Sequence, residues 1–97
     1  MDLQDLGRRC ADALAANGFG NQPERQILAL SEEVGEFVGS YRRWRGWARR
    51  SDTEDHVVEE LADVVITAFV TAAEQGWDLM AAIEKKESII FSRGWHE

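Results

Sequence analysis

Apolar residues recur along this chain at helical spacing. Leu3, Leu6, Cys10, Ala13 and Leu14 fall on one stripe at steps of three and four. They predict a first helix that starts near Asp2 and ends near Asn17 and Gly18, where glycine suits a left-handed cap. Gly18-Phe19-Gly20-Asn21 reads as a turn, because it lacks the strand and further glycines of a phosphate-binding loop. Pro23 suits the first position of a second helix, with Asn21 and Gln22 ahead of it as the cap. Ile27, Leu30, Val34, Phe37, Val38 and Tyr41 make its stripe, and Gly46 marks its end. Gly35 and Gly39 each weaken that helix by about 1 kcal/mol relative to alanine. Their small size would let another backbone approach.

Ser51 followed by Glu54 has the order of a capping box for a third helix. That helix is apolar nearly all round. Val57, Val58, Leu61, Val64, Val65 and Ala68 fill one side, and Ala62, Ile66, Phe69 and Val70 the other. Polar groups keep only the arc of Glu59, Glu60, Asp63 and Thr67. A helix of this kind is buried on both sides. A chain of 97 residues has little else to cover two faces, so one face is expected to meet a second subunit. Gly76 closes the helix, and Asp78 caps a fourth that runs through Leu79, Ile83, Lys86 and Ile90. Strand alternation, internal repeats and low-complexity tracts are missing from the pattern. The expectation is one all-α domain over residues 1–97, of four-helix-bundle type, with a helical core shared in a dimer or tetramer.

Composition narrows the function classes. No apolar run reaches the roughly 20 residues of a membrane span, and the first residues lack the order of a signal peptide. The single cysteine, Cys10, has no internal partner, which fits a reducing cytoplasm. A net charge of −7 argues against general nucleic-acid binding, which draws on basic surface. It suits a protein that gathers cations.

The acids supply the candidate chemistry. Glu33 and Glu36 lie three residues apart on the second helix, and Glu60 and Asp63 three apart on the third, so each pair points one way. If the helices pack antiparallel, all four carboxylates meet. At about 5 Å separation they would repel by roughly 3 kcal/mol per pair at an effective dielectric near 20. A hard divalent cation removes that repulsion, and ligands made only of oxygen suit Mg2+, with Mn2+ able to substitute. Glu32 is displaced about 100° from Glu33 around the helix, which sets it apart from the other acids.

Glu32-Glu33-Val34-Gly35-Glu36 with Glu60-Leu61-Ala62-Asp63 resembles the EExxE…ExxD signature of MazG-type nucleotide pyrophosphohydrolases, within the all-α NTP pyrophosphatases. The resemblance covers roughly residues 26–93. It implies Mg2+-dependent cleavage of a nucleoside triphosphate to a monophosphate and pyrophosphate, with nucleotide-pool housecleaning, stress response and nucleotide supply all open as its role. It makes Glu33, Glu36, Glu60 and Asp63 metal ligands, with Glu32 an added ligand or the group that orients or deprotonates the attacking water. Glu32 and Glu33 are thus the candidate catalytic pair. The family also carries K-x-x-x-N-x-x-R on its last helix to reach the substrate. Lys86 and Arg93 match its ends, but the asparagine position holds Ile90, so either another group supplies that contact or the substrate differs.

Residues 41–50 hold five of the eleven basic residues together with Tyr41, Trp44 and Trp47. Three readings stay open for them. They form a solvated connecting loop, or part of a nucleotide pocket in which Trp44 or Trp47 stacks on a base, or a surface for a partner. The last gives the rival reading of the whole chain, a non-enzymatic acidic helical module. His56 and His96 read as surface histidines, and no Ser-His-Asp or Cys-His set is evident.

Overall fold

The structure, a computed structural model, describes residues 1–20 and 22–93. Among these residues there are four helices and no strand. The Asp2 carboxylate accepts the Asp5 N–H and opens α1 (Leu3–Ala16). The helix closes at Asn17, and Gly18 follows with φ +86°, the left-handed turn expected of it. Helix α2 (Pro23–Trp44) starts on its proline behind Gln22, whose side chain makes no capping bond. Asn21, half of the expected cap, lies outside the described residues.

The predicted capping box at Ser51 is replaced by another device. Thr53 Oγ1 accepts the His56 N–H at the head of α3 (Glu54–Gln75), so the cap sits two residues later than expected. Gly76 ends α3 at φ +76°. Asp78 Oδ1 then accepts the Ala81 N–H at the start of α4 (Leu79–Arg93), as its position predicts.

Helix α3 is the common wall: α1 and α2 both pack on it. The α2–α3 pairing is antiparallel, because Thr71 Oγ1 donates to the Gln26 carbonyl at one end and Ser40 meets Asp52 and His56 at the other. Val57, Phe69, Val70 and Ala72 form the buried apolar core, all from α3. Burying each of the larger three contributes roughly 1.5–3 kcal/mol. The close approach comes at a glycine that the pattern did not single out. A Cβ on Gly7 of α1 would lie 2.6 Å from the Phe69 carbonyl oxygen. At Gly35 nothing stands within 4 Å, and at Gly39 the nearest atom belongs to the Arg43 side chain. The backbone contact expected on α2 is therefore made on α1.

With α1 and α2 packed on it, α3 keeps an open face within one chain, as its excess of apolar surface leads one to expect: Val58 is 60% exposed, and Leu61 and Val65 are also open. One expectation changes. Helix α4 does not close a four-helix bundle. It touches the other helices only marginally, tied at its start by Gln4, which donates to Asp78 Oδ1 and accepts the Met80 N–H. The surface area of 7330 Å2 exceeds the about 5600 Å2 expected of a compact chain of 11.0 kDa. The radius of gyration, 15.8 Å, likewise exceeds the about 12.5 Å of a compact domain this long. No described helix is long and apolar enough to cross a membrane.

The glycines give a paired stability test by thermal unfolding. Gly7→Ala should lower stability by about 1–3 kcal/mol, because the added methyl meets backbone that cannot yield locally. Gly35→Ala should raise it by up to about 1 kcal/mol through helix propensity alone. A loss at Gly35 instead would place another backbone against that face.

Candidate metal centre

The antiparallel pairing sets Glu33 and Glu36 of α2 against Glu60 of α3. One oxygen from each lies within 4.8 Å of the others. Glu33 and Glu60 are partly buried, and Glu36 is exposed. Glu33 Oε2 and Glu60 Oε2 are shielded from solvent and have no hydrogen-bond partner. A buried acceptor left unmatched costs about 1–3 kcal/mol, and more when charged. Burial holds the Glu33 carboxyl above the usual carboxylate range, helped by the charges of Glu36, Asp63 and Glu60. The donor set is hard oxygen at bridging distance, so these three residues fit a divalent cation.

Asp63 stands at the edge of this group: Glu33 feels its charge, but its oxygens are not among the three that converge. Glu32 points elsewhere, as its angular offset requires, and is exposed. Lys86 lines a groove of about 420 Å3 formed wholly by α4, with Ile83, Ile90 and Phe91 among its walls. Arg93 is exposed at the far end of the same helix. Within a single chain, neither is joined to the acids.

Trp44 and Trp47 both pack edge-on to Tyr41, with ring centroids 5.8 Å apart in each pair. The Arg45 guanidinium lies over both indoles, at 5.9 and 5.6 Å. The two tryptophans remain partly exposed. Beside them Gly39, Ala48 and the side chains of Arg42, Arg43, Arg49 and Arg50 line a cleft of about 270 Å3. The rings and Arg45 therefore lean on one another within a largely exposed segment.

The largest departure from the sequence reading is His56. Far from standing free, its ring is held on both sides. Nδ1 lies 2.9 Å from both Asp52 oxygens, and Nε2 lies 2.9 Å from Glu60 Oε1. Asp52 also accepts from Ser40 Oγ at 2.8 Å, the Thr53 N–H at 2.8 Å and the Arg43 guanidinium at 3.2 Å. Ser40 is fully buried. Ser40, Asp52 and His56 do meet, which the sequence did not suggest, but not as a nucleophile triad. In a triad the two ring nitrogens separate serine from aspartate; here both crowd onto Nδ1, and the buried hydroxyl gives its proton to Asp52. The missed signal was spacing: Asp52, His56 and Glu60 follow at steps of four.

Asp52 is held well below the usual carboxylate range, chiefly by the His56 hydrogen bond and then by the Thr53 amide. The same bond to Asp52 raises His56. Comparison with protein families, curated proteins and solved structures finds no match for this chain.

These shifts set a pH dependence for the metal-free protein. A raised histidine contributes stability that is full below about 6.5, its unfolded value, and lost as pH rises through its native value. Raised Glu33 likewise favours the folded state at low pH and ceases to as it ionises. Lowered Asp52 works the other way: its contribution is lost on acidification below about 4. The melting temperature in chelator should therefore fall from pH 6 to pH 9. Glu33→Gln should melt a few degrees above the parent at the alkaline end. A profile that rises over that range would contradict the arrangement.

Proposed function

We propose that this chain is a Mg2+-dependent nucleoside triphosphate pyrophosphohydrolase of MazG-like type, with Mn2+ able to replace Mg2+. One observation carries the reading: carboxylates from two helices converge, and two of their oxygens are buried without a partner. Of the five acids of the MazG-type signature, Glu33, Glu36 and Glu60 converge, Asp63 lies at the edge and Glu32 stands apart. Glu33, Glu36 and Glu60 would hold the cation, with Asp63 beside them. Bound Mg2+ would neutralise charge on the triphosphate and on the departing pyrophosphate. Glu32, exposed and outside the converging group, would by the same resemblance orient the attacking water or take its proton. Hydrolysis of the anhydride between the α and β phosphates then gives monophosphate and pyrophosphate.

Lys86 and Arg93 would contribute to substrate binding through assembly. The chain leaves Val34, Val38, Val58, Leu61 and Val65 open on α2 and α3, and Phe91 83% exposed on α4. A second copy covering these faces is the simplest way to bury them, and Lys86 or Arg93 would reach the acids only if that copy set its α4 beside them. Light scattering on the eluting protein at micromolar concentration should give an even multiple of 11.0 kDa. A mass of one chain would remove the shared core.

The second reading, an interaction module acting through residues 41–50, is favoured by the four-arginine cleft and the exposed tryptophans. Pyrophosphate release from a panel of NTPs and dNTPs with Mg2+ and Mn2+ separates the two. Release from at least one nucleotide is expected, and Glu36→Gln should reduce it at least about 100-fold, some 2.7 kcal/mol of barrier. Silence across the panel, or full activity in Glu36→Gln, would favour the module.

A further inference from the structure

We infer that His56 is the positioning residue of the metal centre, locking the Glu60 carboxylate between the buried Ser40–Asp52 clasp and the acid cluster. The inference rests on the metal-centre reading and adds a residue that the acid signature does not contain.

The geometry carries it. His56 Nε2 lies 2.9 Å from Glu60 Oε1 as an ion-pair contact, while Glu60 Oε2 is shielded and without a partner, the oxygen left over for a ligand. With Oε1 held in that contact and Oε2 on a cation, the carboxylate would be fixed in direction, as outer-shell partners fix metal ligands. The ring itself cannot turn, because Nδ1 sits between both Asp52 oxygens at 2.9 Å and Ser40 Oγ at 3.2 Å. Asp52 is anchored in turn by donors from α2, Ser40 and Arg43, and by the Thr53 amide at the head of α3. The chain of polar contacts thus runs from a fully buried hydroxyl on α2 to the Glu60 carboxylate on α3. Ser40 and Glu36 are four residues apart on α2, so the clasp and the opposite ligand share one helix face. Charged groups facing His56 are Asp52, Glu59 and Glu60 from its own segment and, through Asp52, Arg43 from α2.

The two halves of the ring can be separated by substitution. A glutamine at 56 places an amide donor near the Nε2 position, keeping Glu60 and releasing Asp52. An asparagine places it near Nδ1, keeping Asp52 and releasing Glu60. Mn2+ affinity is read from the electron paramagnetic resonance signal of the free ion, with helix content followed by circular dichroism. His56→Asn should weaken Mn2+ binding about 10–100-fold, whereas His56→Gln should stay within a few-fold of the parent. Equal weakening in both, or none in either, would overturn the positioning role while leaving the metal centre standing. No Mn2+ binding by the parent would overturn the metal centre and the role of His56 with it. Should His56→Asn fail to fold, the parent still decides. In the 15N-labelled protein, the His56 Nε2 resonance should shift with Mg2+ and saturate at the metal's own midpoint; a resonance that stays still would refute the proposal.

Discussion

Helices α2 and α3 run antiparallel, held at one end by Thr71 on the Gln26 carbonyl and at the other by Ser40 against Asp52. The acid cluster and the Asp52 contacts to α2 both depend on that register. Sliding one helix along the other by a turn, about 5.4 Å, would part Glu60 from Glu33 and Glu36. It would also strip Asp52 of its donors from α2. The clasp and the acid cluster are therefore two consequences of one packing arrangement.

That arrangement brings like charges together in a chain that already carries a net −7. Burial raises the Glu33 carboxyl, and the two orphaned oxygens add a cost of their own. The clasp offsets part of this by placing an imidazole and a guanidinium beside Asp52, one of the few acids with a full set of donors. Strain of this kind concentrates where a ligand is meant to bind, because the ligand relieves it. The same trade appears in the apolar surface. With α1 on one flank and α2 on the other, α3 still exposes Val58, Leu61 and Val65, and α4 has almost nothing to lean on.

Residues 41–50 illustrate how a segment can be read three ways from composition and narrowed by contacts. The tryptophans are turned toward Tyr41 and under Arg45, so each indole already has partners. Arg43 is committed to Asp52, while Arg42, Arg49 and Arg50 share a cleft without any acid lining it. An arginine that looked like part of a solvated run is instead one end of a chain of polar contacts that reaches Glu60.

The sequence alone determined the four helices, their glycine and aspartate boundaries, and the pairing of acids on two of them. Those features are local: they follow from spacing along one helix and from capping chemistry within a few residues. It also supplied the angular argument that sets Glu32 apart. What only the tertiary structure decided is how residues distant along the chain meet. Gly7 was unremarkable in its own helix, and only the path of Phe69 made its missing side chain necessary. Asp63 shares a face with Glu60, yet the rotation of α3 against α2 leaves it at the margin of the cluster. His56 looked solitary because Ser40 and Arg43, which reach it through Asp52, belong to another helix. Periodicity describes one helix at a time, and a site built between two helices is fixed by their relative rotation and register.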